Sequence, residues 1–244
     1  MEQRKAERIL CSLYALAGVL CLIIGITSGV TWGHWRWTLD QCIGRNCSCI
    51  LYGESTPTHF IGGSIYTCIW ITFGPIPIIL LFSSLGIYHG VRSCIGPATE
   101  ATRSVLTKNA TGETIHMQIR TREIEPISRV YWIIVSAFSL FFAAYMLAHF
   151  ALFADGFLYS CKQYRRELIK LLNLTGTAVG VVHGRLTCNA VFDFMDYLQP
   201  VVGNIHRGSY VNTAFALIVG IIASFFSTTA LCLASVINIK FARK

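Results

Sequence analysis

The 244-residue chain is 54% apolar and only 13% charged, about half of the roughly 25% charged fraction of ordinary soluble domains. This composition favours a membrane protein and leaves no room for a separate soluble domain of normal size. The formal net charge of +8 does not require nucleic acid as a partner, because the positive-inside rule explains basic residues that flank membrane spans.

Four apolar runs lack Asp, Glu, Lys and Arg, and each is close to the roughly 20 residues that cross a hydrocarbon core of about 30 Å. They cover residues 9–30, 65–91, 130–153 and 214–237. We therefore predict an all-α membrane protein, a single domain over residues 1–244 folded as a four-transmembrane-helix bundle in the lipid bilayer.

The distribution of charge predicts the orientation of these spans. With both termini in the cytoplasm, residues 31–64 and 154–213 form the outer loops and residues 92–129 the inner loop. Twelve of the 20 Lys and Arg residues then lie inside. Six of the other eight fall in the longer second outer loop, where charge contributes less to orientation.

The end of the first span is rich in tryptophan, with Trp32, Trp35 and Trp37 inside residues 31–40. Tryptophan concentrates where lipid meets water, so an interfacial anchor is one interpretation. A partner-binding surface is the sharper one. The alternation of Trp35 and Trp37 around Arg36 also fits a short strand.

Residues 41–68 combine four cysteines, a glycosylation sequon and glycine-centred turns. Residues 48–52 and 59–66 fit strand segments around a turn at residues 53–58, which predicts a small extracellular β-sheet above the bundle. The exposed tip of this loop is the second candidate for partner binding, through Tyr52, His59 and Phe60.

The second span contains Gly74-Pro75-Ile76-Pro77, which should kink the helix or open it locally because proline lacks a backbone donor. Either a structural kink or a ligand or permeation role fits this pattern. In the inner loop, Cys94 is placed for palmitoylation, with an unmodified thiol as the alternative. Residues 111–125 alternate apolar and polar side chains, as in a short hairpin or strand.

After the third span, the stretch from Cys161 carries Tyr164 and Leu168 on one helical face and basic residues on the other. Such a helix either lies on the lipid headgroups or extends the span outward. A second short amphipathic segment begins at Cys188 and ends by Pro200.

Six of the ten cysteines belong to the predicted outer side, where disulfides are expected. They are Cys42, Cys47, Cys49, Cys68, Cys161 and Cys188. Asn46 and Asn173 begin sequons on the same side, which predicts a plasma-membrane glycoprotein.

Motifs for chemistry are missing from the sequence. There is no C-x-x-C, HExxH, GxSxG or Walker loop, and the outer histidines have no zinc-ligand spacing. We therefore expect no catalytic residues, no metal site, no cofactor and no enzymatic activity. Coupled transport is disfavoured because the spans hold no ionisable residues except histidines.

Several cysteine positions carry a family resemblance. A cysteine precedes Leu51-Tyr52-Gly53, Cys68 starts the second span, Ser93-Cys94 follows it, and Cys161 accompanies Cys188 in the second outer loop. Together with four spans and inner termini, this pattern resembles the transmembrane protein 179 family and equally its arthropod relatives, the Pasiflora and Fire exit tetraspans. Claudins are similar in general plan only.

The resemblance implies disulfides Cys49–Cys68 and Cys161–Cys188, with Cys42–Cys47 as the third pair among fifteen possible pairings. Pasiflora proteins are components of septate junctions. The resemblance therefore implies a non-enzymatic tetraspan at cell–cell junctions, which contributes to a paracellular barrier by binding other junctional proteins or further copies of itself. A channel subunit, or an auxiliary subunit of a receptor or channel, is the alternative.

Overall fold

The computed structural model describes residues 3–39, 42, 46–56, 60–95, 98–108, 114–124, 127–171, 173, 176, 179–180, 186–198, 201–202, 205–206 and 211–243. The helices are α1 (Gln3–Leu39), α2 (Ile65–Phe73), α3 (Ile76–Ile95), α4 (Arg129–Leu171), α5 (Cys188–Leu198) and α6 (Thr213–Ala242). The strands are β1 (Cys49–Ser55), β2 (Phe60–Gly63), β3 (Ala98–Lys108), β4 (Thr114–Ile124), β5 (Val201–Val202) and β6 (Ile205–His206).

Four helical segments are long and apolar enough to cross a membrane: α1, the α2–α3 pair, α4 and α6. The predicted four-helix architecture is therefore confirmed at the level of helix number, length and composition. The helices are longer than the apolar runs. At a rise of 1.5 Å per residue, the 43 residues of α4 span about 64 Å, roughly twice the hydrocarbon thickness of a bilayer.

Small residues set the spacing between α1 and the second span. A Cβ added at Gly18 would lie 3.0 Å from the Ser83 hydroxyl, and one at Gly29 would lie 3.3 Å from the Thr72 methyl group. Close approach of this kind drives helix association in lipid, where hydrophobicity does not. The small residues of α1 thus serve as a packing face. On its other side α1 packs against α6, and α6 packs against α4.

The gap between the second span and α4 is bridged by aromatic side chains. The rings of Trp70 and Tyr145 are 4.9 Å apart, and those of Phe82 and Phe142 are 5.6 Å apart. Large rings suit this side of the bundle because they reach across a wider separation than aliphatic side chains do. They close the bundle where its backbones are further apart.

The proline-rich break in the second span is present and is filled by protein. Helix α2 ends at Phe73 and α3 begins at Ile76, with a turn at Gly74 and Pro75. The Tyr145 hydroxyl donates to the Gly74 carbonyl at 3.0 Å. The backbone group freed by the break is therefore satisfied inside the bundle, as buried backbone in a membrane requires.

Several polar side chains inside the bundle are likewise hydrogen-bonded. His149 contacts the Ser224 hydroxyl and the Ile71 carbonyl, each at 3.0 Å. Nearer the termini, the Asn238 amide donates to the Tyr14 hydroxyl at 2.6 Å and to Ser139 at 3.1 Å. These bonds link α1, α4 and α6 and fix their register.

The two ends of the bundle are distinct, and we name them by their contents. The disulfide end holds the β1–β2 hairpin, α5 and all three disulfides. The terminal end holds the start of α1, the end of α6 and the β3–β4 hairpin, which pairs Ala98 with Ile124 through to Lys108 with Thr114. A strand or hairpin in the loop between the second and third spans is thus confirmed.

Candidate partner-binding surface

The β1–β2 hairpin contains an unusual bulge. Cys49 pairs with Gly63 and Glu54 pairs with Ile61, so four residues of β1, from Ile50 to Gly53, lie opposite the single residue Gly62. Within the bulge Tyr52 has φ 57°, a left-handed conformation that is uncommon for a residue other than glycine. Such bulges bend a strand and redirect its side chains.

The bulge is held by contacts with α4. The Tyr52 hydroxyl donates to Asp155 Oδ2 at 2.9 Å and lies 3.2 Å from the Leu152 carbonyl. The Gly53 amide donates to Ser160 Oγ at 2.9 Å, and that hydroxyl donates to the Ile50 carbonyl at 2.7 Å. Because these bonds satisfy backbone groups that the bulge removes from the sheet, they compensate for the strained geometry.

Glycine at position 156 makes this docking possible. A Cβ there would lie 2.7 Å from Cε2 of Tyr52 and 3.1 Å from the Leu51 Cβ. The Tyr52 ring also lies 5.7 Å from the Tyr159 ring. The Leu51-Tyr52-Gly53 segment therefore rests directly on the α4 backbone, and only a residue without a side chain fits beneath it.

The rest of the hairpin follows the projecting part of α4. Ser55 donates to Glu167 Oε2 at 2.6 Å, and the Phe60 ring packs edge-on against Tyr164 at 5.1 Å. Along this helix the buried face includes Phe157, Cys161, Tyr164 and Leu168, at the three- to four-residue spacing of one helix side. The helix of the third span thus continues beyond its apolar run, which is one of the two arrangements that its amphipathic pattern predicts.

Three disulfides cross-link this end. They join Cys42 to Cys47, Cys49 to Cys68, and Cys161 to Cys188, the same three pairs that the family resemblance implies. The second ties β1 to the start of α2, and the third ties α4 to α5. Each closes a loop and so restricts the unfolded chain.

A hydrogen-bonded chain connects three further elements. The Trp35 indole donates to Thr213 Oγ1 at 2.7 Å, and the Thr213 hydroxyl donates to Asp196 Oδ1 at 2.6 Å. Asp196 also accepts from the Thr213 amide at 2.8 Å. On the same helix α5, Phe192 stacks on Phe157 of α4 at 5.1 Å. Helices α1, α5 and α6 are thereby locked together.

These contacts leave an open cleft of about 720 Å³ beside the hairpin. Its lining comprises Cys42, Asn46, Cys47, Tyr52, Glu54, Ile61, Gly62, Gly63, Ser64 and Tyr66. The Tyr66 side chain is 74% exposed. Burial and the hydrogen bond and charge of Asp155 raise the pKa of Tyr52 to about 12, so this phenol stays neutral at physiological pH. We call this region the outer cleft.

A second exposed feature lies at the end of α1. Trp37 is 73% exposed, and the Arg36 guanidinium lies 5.1 Å from its ring and 5.8 Å from that of Trp32. Cation–π contacts of this kind stabilise a charge near lipid or at an exposed site. Trp37 and Arg36 therefore present an aromatic and cationic surface near the start of the loop.

The structure separates the residues predicted to bind a partner. Trp35 and Trp37 lie on helix α1, so the short-strand interpretation of this segment is wrong. Trp35 is fully buried and Phe60 is 5% exposed, so both lie beneath the surface and support it from below. Tyr52, in β1, is half-buried against α4, and Trp37 is exposed. His59 lies outside the described residues.

The predicted modification sites are accessible in different ways. Asn46 and Asn173 are both exposed, and Asn173 follows directly after α4 with φ 48°. Cys94 is an exposed free thiol at the terminal end. Palmitoylation there and glycosylation at the two asparagines stay predictions.

Two signals in the sequence pointed towards this surface without defining it. Gly156 and Ser160 are small residues of α4, but only their contact with β1 reveals their role. Among the described residues no group of three or more His, Cys, Asp or Glu side chains could hold a metal ion.

Comparison of the chain with protein-family models, with curated proteins and with solved structures found no match.

Proposed function

We propose that this protein is a non-enzymatic four-span membrane protein of cell–cell junctions, which helps to assemble a paracellular barrier. The disulfide end faces outward from the plasma membrane, and the terminal end with both termini faces the cytoplasm. Its partners are other junctional membrane proteins or further copies of itself, which bind at the outer cleft and at Trp37.

The observation that carries this proposal is the two-sided fixation of the β1–β2 hairpin. One edge is bonded covalently to α2 through Cys49–Cys68, and its bulge is docked on α4 through Tyr52 and Ser160. A surface held in this way loses little conformational freedom on binding, which favours affinity. Such rigidity suits a protein that holds neighbours in a fixed arrangement.

The exposed side chains have the composition of a binding surface. Tyrosine and tryptophan are enriched at interaction hot spots because they bury a large area with few rotatable bonds. Tyr66 and Trp37 are each more than 70% exposed at the disulfide end. Trp37 is also suited to the lipid boundary, so a partner that it contacts would be embedded in the same or a facing membrane.

The test is to replace the endogenous gene in a polarised epithelium by tagged variants. The wild-type protein should concentrate at cell borders, and its removal should let a tracer pass between cells. Tyr66→Ala should reduce border enrichment and barrier rescue, whereas Phe141→Ala, which removes a similarly exposed ring from the middle of α4, should rescue fully. Intact tracer exclusion and normal junction proteins after removal would contradict the proposal.

A channel subunit, or an auxiliary subunit of a receptor or channel, is the second candidate. The break at Gly74 and Pro75 favours it, because interrupted helices line binding sites in transporters. Against it, the Gly74 carbonyl accepts a hydrogen bond from the Tyr145 hydroxyl, and the Trp70 ring packs against the Tyr145 ring. Conductance of the purified protein in planar bilayers that Tyr145→Phe alters would favour a channel, and silence would disfavour it.

A further inference from the structure

The sequon Asn46-Cys47-Ser48 is built into the folded disulfide end in an unusual way. Its middle residue, Cys47, is bonded to Cys42. The carbonyl of Asn46 accepts a hydrogen bond from the Ile65 amide at 2.9 Å. Ser48 is only 1% exposed, and its hydroxyl has no hydrogen-bond partner among the described residues. Only the Asn46 side chain is exposed.

Glycan transfer requires more of a sequon than an exposed asparagine. The Asn amide nitrogen attacks C1 of an oligosaccharide carried on a polyprenyl diphosphate. The C1–oxygen bond to the diphosphate breaks, the lipid diphosphate leaves, and the amide loses one proton. The transferase reads the Ser or Thr hydroxyl two residues later, which is why the motif includes it. It must therefore reach Ser48 as well as Asn46.

In the folded protein the transferase cannot reach both Asn46 and Ser48. Ser48 is covered, and the backbone on either side of it is fixed by the Cys42–Cys47 and Cys49–Cys68 disulfides. An enzyme cannot draw this segment into its own site without breaking covalent bonds and the Asn46–Ile65 hydrogen bond. The sequon is thus usable only before this end has folded.

We propose that Asn46 is glycosylated only before the Cys42–Cys47 disulfide closes, so that oxidation and glycosylation compete for the same segment. In the competing step two thiols exchange with the disulfide of an oxidoreductase, which leaves with two electrons and two protons as a dithiol. The inference rests on the outward location of the disulfide end, which the proposed function also assumes.

Synthesis of this segment and closure of its disulfide take place on comparable timescales. The chain emerges at about 5–20 residues per second, and disulfide formation takes seconds or longer. The Cys42–Cys47 loop is short, with a sequence separation of 5, so its closure requires no distant part of the chain. Wild-type protein should therefore be a mixture of glycosylated and unglycosylated molecules.

The mixture has a consequence for the proposed binding surface. Asn46 lines the outer cleft beside Tyr66, and its exposed side chain leaves room for a glycan after the disulfide has closed. Glycosylated molecules carry a sugar chain at the rim of the cleft, and unglycosylated molecules present it open. Oxidation early in synthesis thus sets the fraction of molecules with an accessible cleft.

The experiment measures the occupancy of Asn46 and Asn173 in the full chain made in cells. Glycans are removed enzymatically in heavy-oxygen water, and the converted asparagines are counted by peptide mass spectrometry. Cys42→Ser keeps the sequon but removes the disulfide, and should raise Asn46 occupancy at least twofold. A pulse of reducing agent during synthesis should raise it more in the wild type than in Cys42→Ser, in which only the Cys49–Cys68 disulfide remains beside the sequon.

Cys161→Ser is the matched control, because it removes the disulfide between α4 and α5, which includes no residue of the sequon, and should leave Asn46 occupancy unchanged. Occupancy is read on the newly made chain, so a variant that later fails to fold still reports. Equal Asn46 occupancy in the wild type and Cys42→Ser, with Asn173 occupied, would overturn this inference alone. If both asparagines are empty in every chain, the outward location itself is wrong and the proposed function loses its orientation.

Discussion

The two ends of the molecule are stabilised by different interactions. At the disulfide end, three covalent bonds and a hairpin docked on α4 fix the structure. At the terminal end, α1 and α3 are joined by an ion pair between Glu7 and Arg92 at 3.2 Å. There α4 and α6 are joined by stacking of Trp132 on Phe241, with ring centroids 5.0 Å apart.

The proposed orientation of the protein accounts for this difference. Disulfides persist in oxidising surroundings and are rare where thiols are kept reduced. The described free cysteines that are exposed, Cys94 and Cys232, lie on α3 and α6, away from the cross-linked hairpin. Reduction of disulfides should not change the stability of the terminal end, which depends on ionic and aromatic contacts. It should destabilise the disulfide end.

Removing one partner of the terminal ion pair should have the largest effect. Glu7 is completely buried, and it accepts from Gln3 at 2.9 Å as well as from Arg92. Arg92→Ala leaves a buried carboxylate without its cation, which typically costs about 3–5 kcal/mol. Because Glu7 is completely buried, we expect a loss in this range, about 3–5 kcal/mol, in the free energy of unfolding in lipid bicelles.

The matched control is the double variant Glu7→Gln/Arg92→Ala, which removes the charge together with its partner. It should recover most of the lost stability, because a neutral amide is far less costly to bury than a carboxylate. An Arg92→Ala protein as stable as the wild type would show that the pair does not hold the terminal end together.

Loss of the Cys49–Cys68 bond should come next. The double variant Cys49→Ala/Cys68→Ala should lose about 2–4 kcal/mol, the usual contribution of a disulfide. Reducing agent should lower the stability of the wild type by at least as much, and the stability of Cys94→Ala/Cys232→Ala should follow the wild type under both conditions. Equal stability with and without reducing agent would remove the contrast between the two ends.

Substitution of Gly156 should loosen the hairpin without touching a covalent bond. In Gly156→Ala the new methyl group meets the Tyr52 ring at 2.7 Å, and overpacking of this kind costs about 1–3 kcal/mol. Amide hydrogen exchange should become faster in β1 and stay unchanged in α6. In Gly33→Ala, where nothing lies within 4 Å of the added Cβ, helix propensity should make the change neutral or slightly stabilising.

Local sequence patterns could predict the helices and most of the hairpin. The four apolar runs are long enough to identify each span, and residues 53–58, which include Gly53 and Pro57, identify a turn between strands. The observed strands, Cys49–Ser55 and Phe60–Gly63, each begin one residue after the predicted start. The first extends three residues into the predicted turn, and the second ends three residues early, because α2 begins at Ile65.

Contacts between distant segments could not be predicted in this way. Trp35 and Trp37 look alike in sequence, yet one bonds to Thr213, 178 residues away, and the other is exposed. On a helix, residues two apart point in different directions, so their roles follow once the strand interpretation is replaced. Tyr52 and Gly156 are likewise far apart in the sequence, so no local pattern could predict that they come into contact.

The smallest effect should come from the Tyr52 hydroxyl, which joins the bulge to Asp155. Tyr52→Phe should cost less than about 1 kcal/mol, because the bond is exposed to solvent. The pKa of Tyr52 is raised from 10.0 to about 12, so the folded state favours the neutral phenol. The contribution of the neutral Tyr52 hydroxyl to the stability of the folded state is complete below about pH 10 and is lost as the pH rises through about 12. Tyrosinate absorbance of the wild type minus that of Tyr52→Phe should titrate near pH 12. A difference that titrates near pH 10 would mean that Tyr52 does not hold the hairpin on α4 in solution.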